Sequence, residues 1–234
     1  VSDALVLSLF PGIGLLDMAF EEEGFCVVRG PDLLWGGDVR RFSPPAGRFD
    51  GVIGGPPCQF ASRLRHMVEA AGNQTAVNMI PEFERCIELA RPRWAVMENV
   101  VEAPTPEVTG YATSNEVIRD VWVGGETNRL RRFSFITREG YRLRIETAAL
   151  HPVGEPTVLA GHGLAPSQRD KRNGATVMSL AETCRLQGLP EDFADALPFT
   201  THGKRKVIGN GVPLPMGRAV ARAVKAALTM ERAA

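Results

Sequence analysis

A chain of 234 residues with 44% hydrophobic and 23% charged side chains has the composition of an ordinary soluble globular protein, which excludes a disordered, collagenous or coiled-coil chain. Lys and Arg number 27 against 27 Asp and Glu, so net charge favours no class of partner, and no uninterrupted apolar run of about 18 residues marks a membrane span. The length predicts one domain or one with a small second lobe, while the lack of a basic residue before the first apolar stretch and the scattered thiols predict a cytoplasmic protein without a secretory leader.

In chain order, residues 5–9 form a short apolar run that meets Phe10-Pro11-Gly12-Ile13-Gly14, then an apolar-rich segment closed by Gly24. This reads as strand, glycine turn and helix, and residues 25–29 follow as a second buried strand ending near Asp32. Residues 51–54 and 94–97 are two more short apolar runs, the latter preceded by a predicted helix over 82–90 and the break Arg91-Pro92. The alternation predicts an open, mostly parallel α/β sheet, Rossmann-like, with helices on both faces. After Pro104, residues 120–123, 132–137 and 141–148 read as antiparallel strands, residues 151–174 as loop, and residues 213–230 as an amphipathic helix.

A glycine turn after the first strand lets the backbone approach a ligand, and the following helix offers its N-terminal amides. Asp32, about 20 residues on, stands where an acid receives ribose hydroxyls, although Gly12-x-Gly14 lacks the third glycine of the dinucleotide fingerprint and also suits a plain structural turn. Gly37-Asp38-Val39 offers a second polar contact at the same sheet edge, or a solvent turn. Directly after the third strand comes Gly54-Gly55-Pro56-Pro57-Cys58-Gln59. Ligands in open α/β sheets lie beyond the carboxyl ends of the strands, so Cys58 falls at the ligand edge, in a rigid loop ill suited to a core. The fourth strand ends in Glu98-Asn99-Val100, which brings a carboxyl group to the same edge. A thiol beside a carboxyl suggests covalent catalysis with acid assistance. The four cysteines, Cys26, Cys58, Cys86 and Cys184, form no Cys-x-x-Cys pair, and no metal is expected.

Charge is uneven: residues 1–100 hold 9 basic and 13 acidic side chains, and residues 101–234 hold 18 and 14. The basic ones bunch at Arg129, Arg131 and Arg132, at Arg169, Lys171 and Arg172, and at Lys204, Arg205 and Lys206, three clusters that suit a phosphate backbone or solvated loops.

Six blocks, in order, resemble the cytosine C5 DNA methyltransferase family: residues 10–14, Gly55-Pro56-Pro57-Cys58-Gln59, Glu98-Asn99-Val100, Asn128-Arg129-Leu130-Arg131, residues 182–190, and Ile208-Gly209-Asn210-Gly211-Val212-Pro213. The resemblance implies transfer of a methyl group from S-adenosylmethionine, leaving S-adenosylhomocysteine, to C5 of a cytosine flipped out of double-stranded DNA. It makes Cys58 the nucleophile that adds to C6, Glu98 the group that holds the N3/N4 edge of the base, and Arg129 and Arg131 contacts to that base. It implies cofactor contacts at Phe10, Gly12, Ile13, Gly14, Asp32, Asp38, Val39, Pro57, Asn210 and Val212. Gln59, Ser62, Arg63 and Arg65 fall on the loop that closes over DNA, and Arg169, Lys171 and Arg172 are further DNA-contact candidates. Arg132 reads as a backbone or solvent contact. The catalytic domain is expected over residues 1–137, completed by 207–234 as the last block returns beside the first, with a small target-recognition region over 138–206.

Three departures stand out. Thr127 occupies the place of the family's usual glutamine, shortening a polar side chain near the base or its phosphates. Only five residues separate Asp32 from Asp38, where the family has a helix, so the acid-aromatic pair is altered and Trp35 is the candidate replacement for the aromatic. The interval from Arg138 to Met178 is short for reading bases, with Arg142, Arg144, Gln168 and Asn173 among the candidates, and predicts either a short recognition sequence or a second chain that assists. The alternatives are methylation of RNA, a catalytically silent nucleic-acid-binding relative, and transfer of a group other than methyl.

Overall fold

The computed structural model describes residues 4–57, 77–148, 154, 155, 157, 158 and 178–231. Its elements are β1 (Leu5–Leu9), α1 (Leu15–Glu22), β2 (Cys26–Arg29), β3 (Gly51–Gly54), α2 (Ile80–Ala90), β4 (Trp94–Asn99), β5 (Ala112–Arg119), β6 (Leu130–Thr137), α3 (Leu180–Leu186), α4 (Thr201–Asn210) and α5 (Leu214–Glu231). The strands form one sheet in the order β2-β1-β3-β4-β6-β5. The first four are parallel, and β6 runs antiparallel to both of its neighbours. This is the mostly parallel α/β sheet that the alternation of apolar runs predicts.

The central strands are apolar almost throughout because both faces are covered. Val6, Ile53, Trp94 and Val96 point to one face, where Leu16 and Phe20 of α1 meet Met216, Val220 and Val224 of α5. Leu7, Leu9, Val52, Ala95 and Met97 point to the other, against Phe83, Cys86 and Ile87 of α2. A third cluster joins Ile13, Leu15 and Ala19 to Cys184, Leu189, Ala194, Ile208 and Leu214, so the C-terminal elements dock on the first helix and reach the carboxyl edge of the sheet. Ion pairs from Arg218 to Glu22 and from Arg222 to Glu23 fasten the outer faces of α5 and α1.

The second half corrects two expected strands. Residues 120–123 form a single 3-10 turn, and the strand lies just before it in β5. Its sequence Ala-Thr-Ser-Asn-Glu-Val-Ile-Arg lacks apolar alternation because β5 is the edge strand and only Ile118 of it is buried. Residues 141–148 do alternate, and Leu143 is buried with Tyr141 and Ile145 packed beside it, but among the described residues the segment pairs with no strand. Isolated bonds hold it instead: Tyr141 N–H donates to Thr137 Oγ1 (3.0 Å), and Ala148 N–H to the Trp122 carbonyl (2.7 Å).

Thr127 serves the fold rather than a ligand. It is 1% exposed, and its N–H and hydroxyl both donate to Asp120 Oδ2, at 3.0 and 2.7 Å. Burial raises the Asp120 carboxyl above its ordinary range, which makes these donors necessary. Gly125 leaves room for the carboxylate, since a Cβ there would lie 2.0 Å from Asp120 Oδ1. Thr127→Ala is expected to cost about 1–3 kcal/mol, read as a lower urea midpoint at unchanged slope.

Candidate ligand cleft and catalytic edge

Beyond β1 the backbone turns sharply, with Phe10 at φ 55°, Gly12 at 57° and Gly14 at 84°. A left-handed phenylalanine is costly and persists where its surroundings enforce it, commonly at functional sites. Asp32 supplies part of that enforcement: its Oδ2 accepts from Gly12 N–H (2.8 Å) and its Oδ1 from Leu34 N–H (2.7 Å). Trp35 Nε1–H donates to the Gly12 carbonyl (2.6 Å), so both main-chain groups of Gly12 are held by the segment after β2. The interval between the two acids is a pair of 3-10 turns, Leu33–Trp35 and Val39–Arg41, capped by Asp32 and Asp38. Hydrogen bonds from the Arg40 side chain and amide hold the Asp38 carboxyl down to about 2, keeping it anionic.

Asp17, fully buried in α1, also borders this cleft. Ser8 Oγ–H donates to its Oδ1 (2.5 Å) and Arg29 Nε–H to its Oδ2 (3.0 Å), yet desolvation outweighs both and raises its pKa. The native state therefore releases the proton at higher pH than the unfolded chain, and this contribution to stability falls as pH climbs from 3.8 to the raised native value. Asp17→Asn, which cannot ionise, is expected to gain stability relative to wild type between about pH 3 and pH 7. Urea unfolding at both ends measures it, and a variant losing ground as pH rises would refute the assignment.

At the carboxyl edge of β4, Glu98 Oε1 pairs with Arg131 Nε at 2.7 Å, both side chains mostly buried. The register explains the meeting: Glu98 lies opposite Phe133, and Arg131, two residues earlier on β6, is its diagonal neighbour on the same face. Asn99 Nδ2–H donates to the Pro56 carbonyl (3.1 Å), tying the turn that leads into Cys58 to the residue beside Glu98. Gly55 passes close by, where a Cβ would lie 3.2 Å from Glu98 Oε2. Cys58, Gln59, Ser62, Arg63, Arg65, Arg169, Lys171 and Arg172 lie outside the described residues. Among the described cysteines, burial pushes the Cys86 thiol up to about 11 and raises that of Cys184, while Cys26 starts β2, at the opposite end of the sheet. None of these three suits a nucleophile at the carboxyl edge.

The glycine turn, Asp32, Asp38, Pro57, Glu98 and Arg131 all border one cleft of about 430 Å³. Ile13, Val39, Asn210 and Val212 border it too, while Gly14 stands behind the wall as the cap of α1. Asn210 and Val212 are brought there by Gln187, whose Nε2–H donates to the Ile208 carbonyl (2.6 Å) and reaches that of Gly211 (3.3 Å). Arg129 is not brought to the cleft. It is 2% exposed, and Nη1–H donates to the Val158 and Gly209 carbonyls at 2.8 and 3.0 Å, tying Val158 to α4. Arg132 is likewise buried rather than in solvent, donating to the Val101 and Pro104 carbonyls. The first basic cluster thus faces inward, because each guanidinium finds main-chain or carboxylate acceptors. Arg142 and Arg144 are exposed, and the cluster 204–206 sits on α4, where Lys206 borders the cleft. Sequence reasoning missed Leu33, Leu34 and Phe199 in the lining; no motif marks them.

A strained glycine turn, a capping acid and a carboxylate–guanidinium pair thus meet at the carboxyl edge of a Rossmann-like sheet, where open α/β folds place their ligands. The chain belongs to the C-5 cytosine-specific DNA methylase family, whose model matches residues 36–112 and 105–226. The type II methyltransferase M.NgoPII of Neisseria gonorrhoeae is 29% identical over 116 residues, covering 41% of this chain and 33% of that protein. M.FnuDI of Fusobacterium nucleatum is 31% identical over 114 residues, covering 41% and 32%. The matches thus span about a third of these relatives' length. The S. pombe Dnmt2 methyltransferase superposes with a TM-score of 0.63 at 11% identity, over 98% of this chain and 99% of that one, a likeness of fold. Among the described residues no cluster suits a metal ion, and no helix is long and apolar enough to cross a membrane.

Proposed function

We propose that this chain transfers a methyl group from S-adenosylmethionine to C5 of a cytosine flipped out of duplex DNA, through a covalent bond between Cys58 Sγ and C6. The observation that carries the reading is the Glu98–Arg131 pair, which opens into the same cleft as Asp32 and the glycine turn. The turn leading to Cys58 is tethered beside it through Asn99.

The family uses S-adenosylmethionine, and the cleft suits that group in size and in its apolar walls broken by a few acids. In this reading Asp32 and Asp38 face its hydroxyls and base, Phe10, Val39 and Pro57 pack on it, and Asn210 and Val212 close the site. When bound, it supplies an electrophilic methyl group. C5 of cytosine is a poor nucleophile, and addition of the Cys58 thiolate to C6 makes the ring an enamine whose C5 carries the electron pair. Glu98, held by Arg131, stabilises the N3/N4 edge as charge builds there. Loss of the C5 proton to water then re-forms the C5–C6 double bond as the Sγ–C6 bond breaks, releasing Cys58 as its thiolate. Arg129 acts here as a positioning residue that ties Val158 to α4.

The catalytic unit takes in residues 1–137 and, because Cys184, Leu189 and Ala194 pack on α1, the chain from α3 onward rather than from 207 alone. Target recognition falls to the interval up to 178, which suits a short recognition sequence or help from a second chain. The test is nucleoside mass spectrometry of unmodified duplex DNA incubated with the protein and methyl-deuterated S-adenosylmethionine. Labelled 5-methyldeoxycytidine is the expected product. Label found only in added RNA would overturn the DNA assignment, and label in neither, with cofactor bound, would overturn catalysis by this chain alone.

A further inference from the structure

The cleft has an aromatic wall that no motif marks. Phe199 comes from the segment just before α4 and is half-buried, and its ring borders the cleft together with Leu33 and Leu34. Trp35 stands behind it, with ring centroids 5.6 Å apart and planes inclined at 43°. The indole does not line the cleft; its N–H is committed to the Gly12 carbonyl and it is 55% exposed. Trp35 therefore bridges the glycine turn to Phe199. The first turn of α4 leaves space for this packing, since a Cβ on Gly203 would lie 3.1 Å from Phe199 Cβ.

Resting on the cofactor reading above, we propose that Phe199 is the ring on which the adenosine end of the cofactor packs, with Trp35 as the positioning residue that holds this ring and the glycine turn together. The flanking Asp32 is the polar residue that a ribose needs, and Leu33 and Leu34 offer only aliphatic contact. A nucleobase presents a π-face, and an aromatic partner gains over an aliphatic one of similar size by offset stacking. Phe199, supplied from far along the chain, does what an aromatic directly after Asp32 would otherwise do.

Calorimetric titration of the full chain with S-adenosylhomocysteine and with adenosine tests this. Phe199→Ala is expected to weaken both ligands by a similar factor of about ten, because the ring touches only the part they share. Phe199→Leu is expected to recover less than half of that loss on a logarithmic scale, and Phe199→Tyr to bind within about twofold of wild type. Trp35→Phe, which removes the N–H bond but keeps a ring, is expected to weaken binding about threefold and to abolish the ligand-induced shift in Trp emission expected of the wild type. Wild-type affinity in Phe199→Ala, full recovery with Leu, or a loss for S-adenosylhomocysteine without one for adenosine would overturn the proposal and leave the cofactor reading standing. Failure of the wild type itself to bind S-adenosylhomocysteine would overturn that reading and this proposal with it. If Phe199→Ala does not fold, by thermal melting, the Leu and Tyr variants decide between the same outcomes.

Discussion

Cys58→Ala is expected to reduce methyl transfer to duplex DNA by on the order of 10⁴-fold or more, while S-adenosylhomocysteine affinity stays within about twofold. The size follows from the chemistry: without a nucleophile at C6 the ring has no enamine, and positioning cannot make C5 attack a methyl group. The unchanged affinity follows from the cleft, whose walls come from the glycine turn, the two capped turns after β2 and the α4 segment. Neither buried thiol of the described residues compensates, because Cys86 and Cys184 are buried with raised pKa values and do not border the cleft. Duplex DNA carrying 5-fluorocytosine gives an independent readout. Fluorine at C5 cannot leave as the proton does, so the Sγ–C6 bond persists and a denaturant-stable complex is expected with wild type and not with Cys58→Ala. Residual turnover near wild type would overturn the nucleophile assignment.

How much of this was legible in the sequence depends on how local each determinant is. The turn at residues 10–14 is written locally, by an apolar run followed by glycines that take positive φ, and so is the position of Glu98 at the end of a buried strand. The second half is less legible because its cues are tertiary. β5 is polar and pairs with β6 along its whole length all the same, whereas residues 141–148 have the alternation of a strand and pair with no described strand. Arg129 and Arg131 sit two apart in one basic cluster, yet one is consumed by the carbonyls of Val158 and Gly209 and the other meets Glu98 across the sheet. Trp35 follows Asp32 closely enough to suggest an adenine contact. The short interval folds into capped 3-10 turns that send its indole to Gly12, so that Leu33, Leu34 and the distant Phe199 line the cleft and Trp35 does not.

Glu98→Gln is expected to lower kcat by about 10²- to 10⁴-fold, the range for a lost acid–base partner, with little change in cofactor affinity. The substitution keeps volume and shape, and the new side chain still has an oxygen to accept the Arg131 Nε–H that Glu98 accepts at 2.7 Å. With that oxygen kept on Arg131, the other terminal atom facing the cleft becomes an NH₂ group, which can neither accept from the N4 amino group nor share a proton at N3. Developing charge on the ring is then met by a mismatched donor just as Cys58 adds. The effect falls on the first bond-forming step, so formation of the 5-fluorocytosine adduct is expected to slow by the same factor as turnover. That separates a chemical role from a structural one: if Glu98 only held β4 against β6, the variant would melt earlier and still trap the base at the wild-type rate. Arg131→Lys provides the complementary case, since an ammonium keeps the charge and loses the planar fork that fixes the carboxylate. An intermediate loss of kcat is expected there, and rates equal to wild type in both variants would remove the pair from the mechanism.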